Sequence, residues 1–434
     1  MAKMINKNRY IDRICAAGTI CLALIFFTCA AFAGDGNIRV GSLKITPGIK
    51  YKGSYQKNIF YEPTDERDDY IHTFTPNILF EYAGGTLGNY LKAGYDLDLA
   101  AYMDYEDNNY QTHRPWISLS VDNLGPFYLK ADEKYVYTTD PYGTANTYNL
   151  GTKTTRWTND VDIALGYRFA DKYALELGYR NYVEQFKENK DQFQDRIDHR
   201  ISATFFVKVA SKTLLFGQYR RTDADYDEQN EGNIQVAGFF PPIVFWNAEN
   251  SQDYTLDDYF VGARFHPTGR LSGEIKIGYG QKTYKNSFNP YGTPYEDEDT
   301  LIAETNVRYV IKKNASVSVN FYRTFLGSPD LVTPVSPTGY EDTKIGIAYT
   351  HNLNRTTFRA GFDYNLQNYK NEMPGFPNKY FQVYTVRAEL DYRVNKWLTA
   401  GLDYKHEDKD ASDAVYEATE YSDNVISFSG DVVF

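Results

Sequence analysis

The sequence predicts an all-β protein, a transmembrane antiparallel up-and-down β-barrel of about 18 strands with short periplasmic turns and long extracellular loops. From Leu43 onward, segments of about ten to fourteen residues alternate apolar and polar positions, which is the period-two pattern of β-strands. Aromatic residues make up 16% of the chain and include 40 tyrosines, whose apolar rings and polar hydroxyls suit membrane interfaces. Beyond the N-terminus no apolar run is long enough for a membrane helix, which excludes a polytopic helical protein.

The first element of the chain is an N-terminal leader. Four basic residues precede a long apolar run that ends in the small-x-small sequence Ala-Phe-Ala. This pattern predicts a secretory signal peptide over residues 1–33, removed after Ala33, then a short periplasmic segment over residues 34–42 and a barrel over residues 43–434. A lipoprotein site at Cys29 and an uncleaved helical anchor are the alternatives. The mature chain is expected to contain no cysteine, because all three lie in the leader: Cys15, Cys21 and Cys29.

About 18 segments follow the strand pattern, and an even number places both termini on the periplasmic side. Short turns such as Phe169–Lys172 and Ala210–Lys212 follow every second segment, and longer acidic or Pro/Gly-rich stretches follow the others. Short turns on one rim and long loops on the other are typical of bacterial outer-membrane barrels. The strands are predicted to begin near Leu43, Tyr70, Asn89, His113, Phe127, Arg156, Tyr173, Arg196, Thr213, Asp257, Leu271, Asp299, Ala315, Tyr340, Thr356, Tyr380, Trp397 and Tyr421.

The alternation alone would also fit a soluble β-sandwich, so the chemistry of the two faces decides between the folds. In Asp160–Phe169 the odd positions are apolar or aromatic and the even ones are charged or small. A sandwich packs its apolar face against a second sheet, whereas an outer-membrane barrel turns that face to lipid and lines a water-filled interior with the polar face. Aromatic residues at strand ends favour the barrel, because they match girdles at two membrane interfaces: Tyr167, Phe169, Tyr364, Tyr392 and Tyr404.

The last strand ends on an aromatic residue, Phe434, which lies on the same face as Ile426, Phe428, Gly430 and Val432. A terminal phenylalanine on an alternating strand resembles the signal read by the outer-membrane assembly machinery. The sequence therefore predicts the outer membrane of a Gram-negative-type bacterium as the location. The expected partners are membrane lipid, lipopolysaccharide and, through the terminal phenylalanine, that machinery. The net charge of −11 argues against nucleic acid as a partner.

Charged residues of both signs occupy the polar face of the predicted strands. At that density they cannot stay unpaired in a dry space, so water or cross-strand ion pairs must surround them. Structural pairing is at least as good an interpretation as solute contact for any single one. A barrel of this size leaves an aqueous channel. The predicted pore-lining residues are Asp96, Asp98, Asp162, Arg168, Glu176, Arg180, Arg200, Arg220, Arg264, Glu304, Arg308, Arg359, Asp363, Arg387, Asp391 and Arg393.

The longest connection runs from about Tyr226 to Leu256 and carries the apolar stretch Gly238–Trp246 between acidic flanks. Loops of this length are usually functional or disordered, and an exposed loop should be polar. We expect the stretch to fold into the barrel mouth as a constriction, or to pack at the rim or on a partner protein. The candidate constriction residues, whose rings could stack on sugars, are Phe239, Phe240, Phe245 and Trp246.

Enzymatic interpretations find little support in the sequence. The six histidines are scattered over different strands, and none belongs to a metal pair or a nucleophile motif. Acidic stretches in the long loops, such as Thr64–Asp69 and Glu296–Asp299, are interpreted as solvated surface charge. Divalent cations bridging them to lipopolysaccharide are the alternative. We therefore expect no enzymatic activity, no metal site and no cofactor.

The sequence resembles the "putative β-barrel porin 2" family. The resemblance rests on a proline-bearing first strand, on the Tyr-x-x-Asn-Ile-Phe stretch from Tyr55 to Phe60, and on Pro76 after an acidic loop. Strand-turn-strand pairs such as Leu165–Tyr182 and Glu389–Asp410 look similar to those of the family. The resemblance implies association with exopolysaccharide or capsule secretion, where the barrel passes the polymer across the outer membrane. It supplies no catalytic residues.

The sequence therefore favours a passive outer-membrane channel that secretes an exopolysaccharide or capsular polymer through a hydrated, mixed-charge lumen. A periplasmic polysaccharide-export protein would be a further partner. General or solute-specific uptake is one alternative, and a structural or adhesive surface barrel without an open pore is another. Conductance separates the last from the other two.

Overall fold

The computed structural model of the chain describes residues 38–83, 89–142, 152–188, 194–226, 253–266, 269–287, 294–327, 339–369 and 377–434. Within these ranges 18 long strands pair with their sequence neighbours in an antiparallel meander. The last strand pairs with the first from Gly48 to Gln56, so the sheet closes into a barrel. The predicted fold class is confirmed. Closure leaves no exposed sheet edge, as a membrane-spanning sheet requires.

The strands have the following bounds in chain order: β1 Leu43–Gln56, β2 Asp69–Ala83, β3 Tyr90–Tyr102, β4 Tyr110–Leu124, β5 Phe127–Thr138, β6 Arg156–Phe169, β7 Tyr173–Phe186, β8 Arg196–Ala210, β9 Thr213–Tyr226, β10 Tyr254–Phe265, β11 Leu271–Tyr284, β12 Glu298–Lys312, β13 Ala315–Gly327, β14 Gly339–Leu353, β15 Thr356–Tyr369, β16 Tyr380–Arg393, β17 Leu398–Ala411 and β18 Tyr421–Val433.

Most of these strands begin at the predicted residue or next to it. The largest shifts are in β4 and β10, which begin at Tyr110 and Tyr254 rather than at His113 and Asp257. Both strands start earlier because their first residues already belong to the ladder, as in the pairing of Tyr254 with Tyr284. Backbone pairing thus extends beyond the stretch in which apolar and polar side chains alternate clearly.

The outer face of the wall is apolar. Leu165, Val261 and Leu301 point outward, with 47%, 64% and 65% of their surfaces exposed. Exposure of so many large apolar side chains to water would be unfavourable. Acyl chains of the membrane would solvate this apolar surface instead.

Aromatic rings cluster on this outer face near both rims. At the short-turn rim the ring centroids of Phe127 and Tyr167 lie 4.7 Å apart. Toward the long-loop rim Tyr219 and Tyr259 form a similar pair at 5.2 Å. These pairs lie where the two interfacial girdles of an outer-membrane barrel are expected.

A short additional strand and the C-terminus pack against the start of β1 at the short-turn rim. A short strand, Ile38–Val40, folds back on the start of β1 through a tight turn in which Gly41 has a φ of +62°. At the same rim the backbone N–H of Phe434 donates to the carbonyl oxygen of Pro47 at 3.0 Å, which ties the C-terminus to β1. In the described part of the chain, no helix is both long and apolar enough to cross a membrane.

Three clusters of buried apolar residues lie at the long-loop end of the barrel. One cluster centres on Tyr254 and Tyr284, with Ala224, Leu256 and Phe325. Two others centre on Ile59 with Tyr102 and on Tyr340 with Tyr369. These side chains pack where the long loops leave the strands and form a core at that mouth. Lower on the inner face, buried aromatic rings lie among polar residues: Phe260, and the pair of Phe206 and Phe216 with centroids 5.5 Å apart.

Candidate functional site

The interior of the barrel is the candidate functional site. All sixteen residues predicted to line a pore lie on one face of the wall: on β6, for example, Asp162 pairs with Arg180, while Leu165 lies on the other face. The charged face is the inner one, because Nη1 of Arg220 on β9 contacts Oε1 of Glu304 on β12 at 2.7 Å, and these strands are not neighbours. Such a contact is possible only across the concave side.

Ion pairs along the wall hold most of these side chains. Cross-strand pairs of this kind stabilise a sheet modestly and orient the charges that face the lumen. The pairs are Arg114–Asp98 at 2.6 Å, Arg168–Asp122 at 2.6 Å, Arg180–Asp160 at 2.6 Å, Arg264–Glu274 at 2.6 Å, Arg359–Asp391 at 2.6 Å and Arg387–Asp363 at 3.1 Å.

The remaining predicted residues take other places on the same inner face. Glu176 accepts a hydrogen bond from the hydroxyl of Tyr128 at 2.8 Å, and Arg308 donates to Oγ of Ser316 at 3.3 Å. Asp96 lies opposite Arg114 in register, and Arg393 lies opposite Thr399 near the short-turn rim. The structural interpretation of paired wall charges therefore suits many of the sixteen residues, but not all of them.

Three arginines on consecutive strands place like charges next to each other, unlike the pairs of opposite charge along the rest of the wall. We call them the arginine ladder: Arg180 on β7, Arg200 on β8 and Arg220 on β9. Arg180 and Arg200 lie directly opposite each other in register, and Arg220 lies opposite Ser202, two residues further along β8. Like charges in such positions repel each other. The arrangement therefore costs stability unless counter-charges lie nearby.

The two outer members of the arginine ladder contact such counter-charges directly, whereas the middle one only has carboxylates at a greater distance, those of Asp258 and Glu304 among them. Arg180 donates to both carboxylate oxygens of Asp160, at 2.6 and 2.7 Å. Arg220 contacts Asp258 and Glu304, both at 2.7 Å. Arg200 donates from Nε to Oγ1 of Thr222 at 3.1 Å and forms no ion pair with the described residues.

A cavity of about 360 Å³ opens beside the arginine ladder, and we call it the ladder cavity. All three ladder arginines line it together with Arg196, whereas only two carboxylates do, those of Asp198 and Glu304. Tyr182, Tyr254 and Tyr322 add aromatic rings to its wall. The prediction from sequence missed these tyrosines, although Tyr182 follows Arg180 at the spacing of two residues that places both on one face.

A second, acidic cavity of about 950 Å³ lies against the opposite side of the wall. Its charged lining is mainly acidic: Asp98, Asp140, Glu389, Asp391, Asp403 and Asp431, with Lys50, Lys52 and Arg359 as the basic members.

The first long loop covers part of the acidic cavity with the side chains of Ile59 and Tyr61. The loop is held there by Asn58, whose backbone N–H donates to Oδ1 of Asp423 at 3.0 Å. Burial raises the pKa of the Tyr61 hydroxyl above its usual value.

A third cavity, of about 800 Å³, lies at the short-turn end below the arginine ladder. Lys130, Arg168, Lys172, Lys208 and Arg264 line it, and its acidic lining residues are Asp122 and Asp171. Basic side chains therefore dominate this cavity and the ladder cavity, whereas a neighbouring cavity that shares Arg180 is lined mainly by acidic residues, Asp132, Glu133, Asp160 and Asp162.

The predicted constriction residues Phe239, Phe240, Phe245 and Trp246 lie outside the described residues, and so does most of their loop. In the described ranges, no group of three or more His, Cys, Asp and Glu side chains could hold a metal ion.

Ser202 and His199 lie three residues apart in the sequence, but their side chains point to opposite faces of β8, so they do not form a nucleophile–base pair. His199 instead bonds to the hydroxyl of Tyr179 on the outer face, at 2.9 Å.

The chain matches a known protein family over most of its length. The profile of the family described as "Putative beta-barrel porin 2" matches residues 31–430. No curated protein matches the sequence.

Among solved structures, the chain is similar to OccK5 (OpdH) of Pseudomonas aeruginosa, with 11% identity over 90% of this chain and 98% of the other and a TM-score of 0.43. It is similar to OccAB3 of Acinetobacter baumannii, with 10% identity over 90% of this chain and 99% of the other and a TM-score of 0.44. A "Bacterial polysaccharide outer membrane secretin" shares 8% identity over 91% of this chain and 100% of the other, with a TM-score of 0.34.

Proposed function

The chain belongs to the "Putative beta-barrel porin 2" family of outer-membrane β-barrels, and from that premise we propose that it is a conduit through which a secreted polysaccharide crosses the outer membrane. The observation that carries the proposal is the charged inner face of a closed 18-strand barrel. Charges of both signs at this density need water around them. A hydrated lumen of that size can pass a polar chain, which an apolar or filled interior could not.

The lining of the lumen also suits a sugar polymer. Hydroxyl-rich chains exchange hydrogen bonds with charged side chains at small cost, and tyrosine rings offer faces for sugar rings. Both features occur together in the ladder cavity, and Tyr61, Tyr102 and Tyr110 line the acidic cavity. Passage would be by diffusion or by driven threading through the hydrated lumen.

The proposal extends to the way the protein reaches its place. Residues 1–33 would direct secretion and be removed after Ala33, and the C-terminal Phe434 would present the last strand to the assembly machinery. A periplasmic export protein would dock at the short-turn mouth, and lipid and lipopolysaccharide would surround the outer face. Catalysis has no part in the proposed function.

A deletion strain tests the export function. We expect loss of the polymer from the cell surface, with polymer synthesis intact and polymer retained inside the envelope. Complementation with the wild-type gene should restore surface polymer, and this serves as the control. Normal surface polymer in the deletion strain would reject export.

Planar-bilayer recordings separate the other two functions from export. A conduit should conduct ions with little block by small neutral solutes. Block by one solute at low concentration would favour solute-specific uptake. The absence of any conductance would favour a structural or adhesive barrel.

A further inference from the structure

We propose that the ladder cavity is a binding site for a carboxylate-bearing sugar, with Arg200 as the residue that contacts the carboxylate. This deepens the proposed function, on which its biological meaning rests, because it identifies the transported polymer as one that contains acidic sugar units. The proposal rests on three features of the cavity: its charge balance, the geometry of its arginines and its aromatic lining.

The charge balance leaves one cation of the cavity, Arg200, without a described carboxylate in direct contact. Four guanidinium groups line the ladder cavity against two carboxylates. Glu304 serves Arg220 and also Lys276, whose Nζ lies 2.7 Å from Oε2. Asp198 lies 4.0 Å from Arg196. Arg200 is therefore the cation of this cavity that contacts no described carboxylate, and Asp258 and Glu304 act on it only from a distance.

The neighbours of Arg200 hold it in a position suited to an anion. Asp160 and Asp258 fix the guanidinium groups of Arg180 and Arg220 on the two flanking strands. Oγ1 of Thr222 accepts only the Nε hydrogen of Arg200, so the planar edge formed by its two terminal nitrogens stays available. That edge matches the two oxygens of a carboxylate, and the resulting paired hydrogen bonds are among the strongest in proteins.

Repulsion between the arginines of the ladder also favours the binding of an anion at Arg200. Arg180 lies directly opposite Arg200, and like charges in that position destabilise the sheet. An anion bound at Arg200 would relieve the repulsion, so binding gains both from new hydrogen bonds and from the removal of an unfavourable interaction. A neutral ligand could accept hydrogen bonds from Arg200 but would not relieve the repulsion.

The aromatic lining indicates a sugar rather than a small inorganic anion. Tyr182, Tyr254 and Tyr322 share the ladder cavity with the arginines. Tyr254 is 6% exposed and belongs to the buried cluster at the long-loop end, but the half-buried rings of Tyr182 and Tyr322 can cover the apolar face of a pyranose while their hydroxyls bond to its hydroxyl groups. A volume of about 360 Å³ lies within the range of small-ligand sites. The basic cavity at the short-turn mouth would attract an acidic chain arriving from the periplasm.

Titration calorimetry of the full-length barrel in detergent micelles tests the site directly, with trigalacturonate as the probe. We expect the wild type to bind trigalacturonate and to bind maltotriose, its uncharged counterpart, at least tenfold more weakly. Acetate and inorganic phosphate, which carry the charge without a sugar, should also bind at least tenfold more weakly. Equal binding of maltotriose would overturn the role of the carboxylate. Equal or tighter binding of acetate or phosphate would overturn the role of the sugar.

Two substitutions at Arg200 and one matched control locate the site. Arg200→Gln should weaken trigalacturonate binding at least tenfold, and Arg200→Lys, which keeps the charge but loses the planar fork, should give an intermediate affinity. Lys50→Gln removes an inward-facing positive charge from the acidic cavity and should leave the affinity within twofold. Circular dichroism checks that each variant is folded. Equal losses in Arg200→Gln and Lys50→Gln would show a general charge effect and overturn the site.

The site and the proposed function can fail separately, because calorimetry does not need an open pore. If the barrel exports polymer but does not bind trigalacturonate, the site is wrong and the conduit stands. If it binds trigalacturonate with the expected pattern but the deletion strain keeps normal surface polymer, the site stands and export is wrong.

Discussion

Nε of Arg220 donates to Oδ2 of Asp258 at 2.8 Å, and the side chain of Asp258 has no exposure to solvent. A carboxylate buried in this way depends on its partner, because an unpaired charge away from water is costly. Arg220 is thus a structural member of the arginine ladder, whereas Arg200 has no carboxylate partner among the described residues. The same residue type serves two different purposes on neighbouring strands.

The first prediction contrasts these two arginines. Arg220→Gln should lower the stability of the barrel by about 2–4 kcal/mol, because it leaves Asp258 without its cation. Arg200→Gln should leave stability unchanged or raise it slightly, because it removes repulsion from Arg180. The midpoint of thermal unfolding, followed by circular dichroism in micelles, measures both. A larger loss in Arg200→Gln than in Arg220→Gln would contradict the assignment of roles.

The second prediction concerns the contact of Gly166 with Tyr128 on the inner face. A Cβ atom at position 166 would lie 1.9 Å from Cζ of Tyr128, so Gly166→Ala must displace the ring and its hydrogen bond to Glu176. We expect a loss of about 1–3 kcal/mol. Adding Tyr128→Ala should reduce the further cost of Gly166→Ala to almost nothing, since the clash is then gone.

Gly217→Ala is the matched control for the Gly166 variant, because the nearest atom to a Cβ there is a backbone oxygen at 4.0 Å. It should change the unfolding midpoint little. Additive effects of Gly166→Ala and Tyr128→Ala would show that the two residues do not interact.

The third prediction concerns Asp69, a buried carboxylate at the long-loop rim with 1% exposure. It accepts hydrogen bonds from the backbone N–H groups of Met103, Asp104 and Tyr105 at 3.0–3.2 Å. The Met103 N–H also donates to the carbonyl oxygen of Tyr70 at 3.1 Å. Asp69→Ala should therefore lower the protection of the Asp104 and Tyr105 amides from hydrogen exchange at least tenfold and that of the Met103 amide less, since hydrogen bonds to charged groups are strong. Asp107→Ala, on the same loop, should leave them protected. Unchanged protection in Asp69→Ala would mean that the loop is held by other contacts.

The fourth prediction concerns the apolar stretch Gly238–Trp246, which the sequence places in the longest loop. If the stretch narrows the mouth, its deletion should raise single-channel conductance in planar bilayers. An equally long deletion over residues 330–338, in another long loop, is the control. Unchanged conductance after the first deletion, or an equal rise after both, would count against a constriction.

Much of the architecture could be predicted because the physical signal is local. Period-two alternation sets the face of each side chain, so the sixteen predicted pore-lining residues all lie on the inner face. Turn residues such as Gly125, with a φ of +69°, mark the hairpins. Starts were less accurate for β4 and β10, because ladder pairing continues where the alternation has faded.

The relations between strands could not be predicted in the same way. Which charges pair depends on register, and Arg220 reaches Glu304 three strands away, a distance that no local pattern encodes. The unpaired state of Arg200 appears only after the partners of Arg180 and Arg220 are known. The inner tyrosines of the ladder cavity were missed because tyrosine on these strands suggested the interfacial girdle.

The proposed channel requires water along the inner face of the barrel and lipid along the outer face. Cysteine labelling at two adjacent residues of β8 measures this: Ser202→Cys on the inner face and Ile201→Cys on the outer face, where Ile201 is 53% exposed. Each variant carries one thiol when the leader cysteines are replaced. In outer membranes, a charged, membrane-impermeant thiol reagent should modify Ser202→Cys readily and leave Ile201→Cys largely unmodified. Modification of Ile201→Cys with protection of Ser202→Cys would contradict a hydrated lumen.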